Sequence, residues 1–185
     1  MLDNFEGFDP LVLIDREKEA TVELIRRTQA RQVEHGAAVI IGGTIIHYFD
    51  SDNPEEVDIP IFIEKLLDTP LPKITLLHSH TNGTLHSVGD LGKILRMGVE
   101  KVIVTSINRN TFSAGVGSTG MVIVNDGLVI DEVYLKNLSD TLARKLSKRL
   151  SSSNFQLQEI LYMLTRERLL YLKKHYNWNI QGGIV

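Results

Sequence analysis

The sequence has 185 residues, of which 43% are hydrophobic and 23% are charged. This composition is typical of a globular protein with a core large enough to hold a site rigidly. The formal net charge of −3 gives no reason to expect a nucleic acid as partner, since nucleic-acid binding favours a basic face. The absence of cysteine excludes a thiol nucleophile, disulfide bonds and a structural zinc site with cysteine ligands.

Two features of the sequence bear on its location. No apolar run reaches the roughly 20 residues that a membrane-spanning helix needs. Residues 1–9 carry acids where a secretion signal would carry Lys or Arg. We therefore expect a cytoplasmic protein with no membrane partner, folded as a single domain over residues 1–185.

Apolar periodicity and turn residues predict alternating helices and strands in the first half of the chain. In chain order we predict a helix over 15–33, a strand region over 37–49 that breaks at Gly42-Gly43 in a hairpin or a bulge, a helix over 58–67, a strand over 73–80, and a helix over 87–97 closed by Gly98. The first of these helices is expected to place Val22, Ile25, Gln29 and Val33 near one face.

In the second half of the chain we predict four strands and two final helices. These are strands over 99–105, 111–115, 121–125 and 128–134, the last two joined by the turn signal Asp126-Gly127, then helices over 139–150 and 155–175 that finish the chain. The two helices carry apolar stripes that we expect to face the core, Leu142/Leu146/Leu150 and Leu157/Leu161/Leu164. The elements together predict an α/β fold of the α+β type, with a mostly antiparallel curved sheet flanked by helices.

The residues with the clearest chemistry are His78 and His80, with Asp90 ten positions later. Alternate side chains of a strand share a face, so the two imidazoles would project together about 6–7 Å apart. Two imidazoles and a carboxylate leave the fourth position of a tetrahedral Zn²⁺ open for water, as in catalytic sites. The pattern therefore predicts a zinc site, although a histidine pair can also decorate the wet face of an edge strand. Ser87 with Asp90 also fits a helix capping box.

A further candidate residue, Glu34, lies upstream, where a charged helical run gives way to the apolar segment 37–43. A glutamate at such a junction, then His-x-His at a strand end, then Ser-x-x-Asp opening a helix resembles the JAMM (MPN+) metallopeptidases. The resemblance covers roughly residues 15–135. It implies that family's cytidine-deaminase-like sandwich fold, with residues 137–176 as a helical extension. Taken alone, Glu34 also fits an ordinary exposed carboxylate at a helix end.

The resemblance implies a role for each of these residues. His78, His80 and Asp90 would bind zinc, Glu34 would be the general base that holds the attacking water, and Ser87 would help to stabilise the tetrahedral intermediate. The implied activity is that of a peptidase or isopeptidase. Its substrate would be a peptide or a ubiquitin-like protein cut near its C-terminus.

The loop between the second histidine and the serine departs from the family pattern. Thr81 stands where the family usually has proline, and the spacer over 81–86 is one residue shorter than usual. Thr81 changes the rigidity of the loop, because proline fixes φ and removes an N–H donor. Asn82-Gly83 suits a sharp turn that would absorb the lost residue. His86 in the same loop fits an extra ligand, a substrate contact or a residue with no metal role.

Two other functions compete with this interpretation. The run His-Ser-His-Thr over 78–81 also resembles the opening of a PHP-type phosphoesterase, in which a later strand ends in Thr-Asp-His. Here that strand ends in Thr-Ser-Ile over 105–107, without the second ligand pair, and the chain after His80 is shorter than the roughly 200 residues of such a barrel. A non-catalytic MPN-type interaction scaffold is the other alternative, and scaffolds of that kind generally lack the ligand set.

Two segments are predicted to line a substrate groove. They are Asp50–Val57, after the first strand region, and Asn108–Thr119, after the strand that follows the Asp90 helix. A peptide would add itself as a strand at an exposed sheet edge, because main-chain hydrogen bonds supply affinity without demanding a particular sequence.

Overall fold

The computed structural model describes residues 5–40, 42–52, 57–107, 130–150, 155 and 157–185, with the backbone alone over 118–123. Its elements are β1 (Asp9–Pro10), α1 (Asp15–Arg31), β2 (His35–Ile40), β3 (Ile45–Asp50), α2 (Ile61–Leu67), β4 (Ile74–His80), α3 (Val88–Lys93), β5 (Val99–Ser106), β6 (Ser118–Ile123), α4 (Glu132–Leu150), α5 (Leu157–Tyr176) and β7 (Asn179–Ile184). Among the described helices, none is long and apolar enough to cross a membrane.

The strands form one seven-stranded sheet in the order β1-β7-β6-β5-β4-β2-β3. The β4–β5 and β1–β7 pairs are parallel, and the other neighbouring pairs are antiparallel. The prediction of a mixed α/β fold with a mostly antiparallel sheet and flanking helices is confirmed at this level. Strand β4 lies inside the sheet, between β2 and β5, so its ends are held on both sides.

The two faces of the sheet pack against different helices. Leu77 of β4 belongs to a small core on the α1 side, together with Ala20 and Leu24 of that helix. Leu76 faces the opposite side, where it joins a larger core with Leu91 of α3 and residues of α2, α4 and α5. Because side chains alternate along a strand, His78 and His80 share the face of Leu76.

Local sequence signals explain why the elements around β4 form where they do. Helix α1 begins after Ile14, whose backbone N–H donates to the Glu17 carboxylate at 3.1 Å, and this confirms the predicted start at Asp15. The β2–β3 hairpin turns at Gly42 and Gly43, which have φ of 60° and 84°. Glycine adopts this left-handed region without steric cost, so the predicted break is a hairpin.

The helix after the histidines is shorter than predicted. It ends at Lys93 rather than near Met97, and Gly98 is not its C-cap. Gly98 instead packs against the end of α2, where its N–H donates to the Leu67 carbonyl at 2.8 Å. A Cβ at this position would collide with the carbonyl oxygen of Leu66, so a close approach of two backbones explains this glycine.

The C-terminal part of the chain differs most from the predictions. The predicted strand over 128–134 is wrong at its end, because α4 begins at Glu132, and the Asp131 carboxylate caps it by accepting from the Tyr134 N–H at 2.7 Å. The two helices do not finish the chain, since β7 follows and pairs with β6 and β1. The predicted strand over 111–115 and the turn at 126–127 lie outside the described residues.

The predicted core stripes are only partly correct. In helix α5 the predicted Leu157 is 70% exposed, and Leu161 and Leu164 are half-buried. Its buried residues are Thr165, Arg168, Leu169 and Leu172. In α4 the predicted Leu146 is buried, and in α1 the predicted Val22 is exposed. Packing partners, which the periodicity does not reveal, decide which stripe of each helix is covered.

Candidate metal centre

The three predicted ligands come together where β4 ends and α3 begins. The Nε2 atoms of His78 and His80 are 2.8 Å apart, and they lie 3.0 Å from Oδ1 and 3.4 Å from Oδ2 of Asp90, respectively. Zinc bonds of about 2.0–2.1 Å in a tetrahedron place ligand atoms roughly 3.3 Å apart. Among the described residues this is the group of His and acidic side chains close enough to share one ion. The donor set therefore fits a divalent transition metal.

Hydrogen bonds set the orientation of His80. Its Nδ1 lies 3.1 Å from the Thr84 carbonyl oxygen and 3.0 Å from the Thr84 hydroxyl. A carbonyl oxygen only accepts, so Nδ1 carries the proton and Nε2 keeps its lone pair for a metal. Such a bond to the second ring nitrogen is the usual way in which proteins orient a ligating histidine.

Ser87 and Asp90 form the capping box that the sequence allows. The Ser87 Oγ accepts from the Asp90 N–H at 3.1 Å, and Asp90 Oδ2 accepts from the Ser87 N–H at 2.6 Å. The structural interpretation of this pair is therefore confirmed. The same bonds fix the Asp90 carboxylate in front of the histidines, so the cap also positions a ligand.

Electrostatic interactions within the cluster shift its pKa values in different directions. Burial alone would raise the pKa of Asp90, but the charges and hydrogen bonds of His78 and His80 hold it well below its usual range. Burial lowers the pKa of His78. Burial also opposes the charged form of His80, yet the bonds to Asp90 and the charge of Glu34 raise its pKa. A cation would bind the state in which Asp90 is anionic and both imidazoles are neutral, so it would displace the protons that the histidines donate to Asp90.

Glu34 lies beside the same cluster, on the residue before β2. It is 5% exposed and lines one cavity with His78, His80 and Asp90. The antiparallel register pairs Gly36 with His78, and continuing it by two residues places Glu34 opposite His80. All five residues predicted from the motif, including Ser87, thus line this cavity.

The cavity has a volume of about 420 Å³. One wall is apolar and consists of Phe49, Val57 and Ile59, so one end of the predicted groove segment Asp50–Val57 reaches the site. Residues 53–56 of that segment, and 108–117 of the other predicted segment, lie outside the described residues. Lys93 also lines the cavity.

His86 belongs to the core and not to the ligand group. Its Nε2 donates to the Val102 carbonyl at 2.8 Å, and its fully buried Nδ1 has no partner among the described residues. Burial lowers the pKa of His86 to about 4, so the ring is neutral at physiological pH. Of the three interpretations of His86, a residue without a metal role agrees with these contacts.

Sequence reasoning missed two residues of α5 that hold the ligand loop. The Thr165 hydroxyl accepts from the Leu85 N–H at 3.2 Å, and Arg168 Nη2 donates to the His86 carbonyl at 2.6 Å. Arg168 Nη1 also donates to the Ser139 hydroxyl of α4 at 3.0 Å. Burial lowers the pKa of Arg168 to about 10, against the opposing charge of Asp90. A signal existed in the sequence, because Arg168 follows Leu161 by seven residues and Leu164 by four, and so continues the predicted apolar stripe of α5.

Comparison of the chain with protein-family models, with curated proteins and with solved structures gave no match. Support for a function therefore comes from the residues and geometry of the site itself. The described residues bring His78, His80 and Asp90 close enough to share one ion, beside Glu34 and a cavity.

Proposed function

We propose that this protein is a zinc-dependent hydrolase of the JAMM type that cleaves an amide or isopeptide bond in a peptide or a ubiquitin-like protein. One observation carries the proposal: the ligand atoms of His78, His80 and Asp90 converge in a cavity that Glu34 also lines. Three protein ligands, rather than four, leave a position for water or substrate. A structural site would be closed by a fourth side chain, and the described residues bring none to it.

The chemistry divides between the metal and the side chains. A bound Zn²⁺ lowers the pKa of water toward about 7 and polarises a carbonyl group. The Glu34 carboxylate accepts the proton of the water that attacks the carbonyl carbon. It then delivers this proton to the nitrogen of the leaving amine as the C–N bond breaks. Near-complete burial of Glu34 keeps bulk water from competing for that proton.

Ser87 can combine its cap with a role in the reaction. Its Oγ accepts from the Asp90 N–H, and the hydroxyl proton remains available to donate. Ser87 also lines the cavity, so this proton can be directed at the oxyanion of the tetrahedral intermediate. A donor that is already fixed by a backbone bond loses little entropy when it acts.

A phosphoesterase with several metal ions is less well supported. In the β4–β5 pair, His80 lies opposite Ser106, where the PHP pattern would continue with ligands. The described residues contain one ligand group and not two. A serine hydroxyl is a poor substitute for a histidine or carboxylate ligand.

Metal content provides the first test. We expect purified wild-type protein, loaded with Zn²⁺ and desalted, to retain about one ion per chain in elemental mass spectrometry. His78→Ala should retain far less, because a two-ligand site binds weakly. His175→Ala is the matched control, since this histidine is exposed at the end of α5 and should leave the zinc content unchanged. Equal and low zinc in wild type and His78→Ala would overturn the proposal.

Glu34→Gln tests the reaction itself. The amide cannot accept a proton, so we expect zinc content to stay the same while turnover falls about 10²–10⁴-fold, the usual contribution of a general base. Cleavage would be followed on a panel of ubiquitin-like fusions and short peptides. Zinc binding without cleavage of any panel member by the wild type would favour the non-catalytic scaffold, and full activity of Glu34→Gln would place the base elsewhere.

A further inference from the structure

The charges that line the cavity are unevenly distributed. Glu34 and Asp90 are its acids, and Lys93 is its one cation among the described lining residues. Lys93 follows Asp90 by three positions on α3, so the two side chains lie on the same side of this short helix. The Lys93 side chain is half-buried. A cation thus stands within reach of whatever occupies the metal-proximal space.

The Lys93 ammonium forms no ion pair with a carboxylate among the described residues, although Asp90 lies only three positions before it in the chain. Arg96, three positions later, shows the contrast, because it pairs with both Glu64 and Asp68. Asp90 is engaged by the two histidines and by the Ser87 N–H. A half-buried ammonium beside a site for a dication is repelled by that ion, and an anion placed between the two would relieve the repulsion.

The apolar wall of the same cavity defines the rest of such a ligand. Phe49, Val57 and Ile59 provide a surface for an apolar side chain. Gly36 makes this wall possible, because a Cβ there would collide with the ring of Phe49. The cavity volume of about 420 Å³ suits a ligand the size of one or two amino-acid residues.

We propose that Lys93 binds a carboxylate of the substrate, so that this protein prefers peptides with an apolar residue and a carboxylate close to the scissile bond. The carboxylate belongs either to an acidic side chain or to a free C-terminus. This inference rests on the proposed hydrolase function, since it places the carboxylate next to the reacting carbonyl. Lys93 is a specificity-determining residue in this arrangement, and the zinc ligands do not depend on it.

Three N-acetylated dipeptides test the inference on zinc-loaded Glu34→Gln protein, which should bind them without cleaving them. They are acetyl-leucyl-glutamine amide, acetyl-leucyl-glutamine and acetyl-leucyl-glutamic acid amide. We expect one or both of the carboxylate peptides to bind about 10- to 100-fold more tightly than the neutral amide, the usual range for a charge-assisted hydrogen bond. The tighter of the two identifies the source of the carboxylate.

The same titrations on a Glu34→Gln, Lys93→Met double variant separate Lys93 from the metal. We expect the preference for carboxylate to disappear while zinc content stays at the wild-type value. A Lys93→Glu substitution in the same background should disfavour the carboxylate peptides further. Lys145→Met is the control, because Lys145 is exposed on α4 and away from the cavity.

The outcomes distinguish this inference from the proposed function. Equal binding of the three peptides by zinc-loaded protein would overturn the role of Lys93 and leave the hydrolase proposal intact. A carboxylate preference that persists in the Lys93→Met variant would also overturn it, because the metal alone would then bind the carboxylate. Failure of the wild type to retain zinc would instead overturn the proposed function, and the inference with it.

Discussion

The two faces of β4 both carry buried polar side chains, yet these side chains have different kinds of partner. On the α1 face, the Glu17 carboxylate accepts from the Thr75 hydroxyl at 3.1 Å and from Lys101 Nζ at 2.9 Å. Ser79 on the same face is 2.5 Å from the Thr28 hydroxyl. Each acceptor there meets a donor. On the opposite face, the Nε2 atoms of His78 and His80 and the Asp90 carboxylate lie within hydrogen-bonding distance of one another beside a cavity.

This difference separates the buried polar cluster that could hold a metal ion from one that is held by ordinary internal hydrogen bonds. Burial of a polar group is costly unless a hydrogen-bond or ionic partner satisfies it, and on the α1 face Glu17, Thr75 and Lys101 satisfy one another. Electron pairs that converge on one point are satisfied by a cation from outside the chain. His35 shows that burial alone does not define the cluster: it is fully buried and its Nε2 has no hydrogen-bond partner among the described residues, yet its Nδ1 lies 2.8 Å from Asp50 and it is outside the group that could share an ion.

Among the substitutions that test the difference between the two faces, Lys101→Met is expected to have the largest effect. Glu17 is fully buried and the Lys101 side chain is 16% exposed, so the substitution leaves a buried carboxylate without its cation. We expect the free energy of unfolding to fall by about 3–5 kcal/mol in urea titrations. Zinc affinity should stay at the wild-type value. A loss of zinc binding with little change in stability would show that the α1 face contributes to the site.

We expect a fall in pH to reduce the stability of the protein through protonation of His86. Its pKa is lowered to about 4 by burial, below the unfolded value of about 6.5, so protons bind the unfolded chain more tightly. The stability that His86 contributes is therefore complete above about pH 6.5 and is lost as the pH falls toward 4. The loss should approach about 3 kcal/mol, measured in urea with a chelator present. In His86→Leu this part of the pH dependence should be missing, and an unchanged slope would contradict the assignment.

Arg168→Met should weaken metal binding from a distance. The substitution keeps the volume of the side chain but removes the donors to the His86 carbonyl and to Ser139. We expect the Kd for zinc to rise about 10-fold in competition with a chelator, as happens when groups that orient ligands are removed. Arg166→Met is the matched control, because Arg166 on the same helix donates to the Glu6 carbonyl at the surface. Equal Kd values in both variants would make Arg168 a packing residue only.

Ser87→Ala has the smallest expected effect on stability, about 1 kcal/mol, since it removes one N-cap. Ser87→Asn separates this cap from catalysis, because asparagine caps helices well but has no hydroxyl. If the hydroxyl takes part in the reaction, both variants should lose turnover while only the alanine variant loses stability in thermal unfolding. Full turnover of Ser87→Asn would restrict Ser87 to its cap.

The parts of the fold that the sequence predicted correctly depend on local signals. The strand that ends in His80, the Ser87–Asp90 box and the turn at Gly42-Gly43 can each be recognised within a few residues. The period of a strand places His78 and His80 on one face, and in the structure Asp90 lies close to both of them. These signals are short in range, so they do not depend on what packs above them.

The parts that were missed depend on contacts between distant segments. Strand β7 contains Gly182 and Gly183, which weaken a strand signal, although Gly182 lies so close to Phe5 and Phe8 that a Cβ would collide with them. The role of Arg168 becomes visible only when α5 lies over the ligand loop. The start of α4 depended on recognising Asp131 as a cap, a local signal that the strand prediction overrode.

Because α5 anchors the ligand loop, the loop can be held only after the ribosome has synthesised α5. The Leu85–Thr165 hydrogen bond joins residues that are 80 positions apart, and Arg168 is added later still. At about 5–20 residues per second, the ribosome needs roughly 4–16 s to produce that stretch. The nascent chain therefore exposes both histidines and Asp90 for seconds before their loop is held.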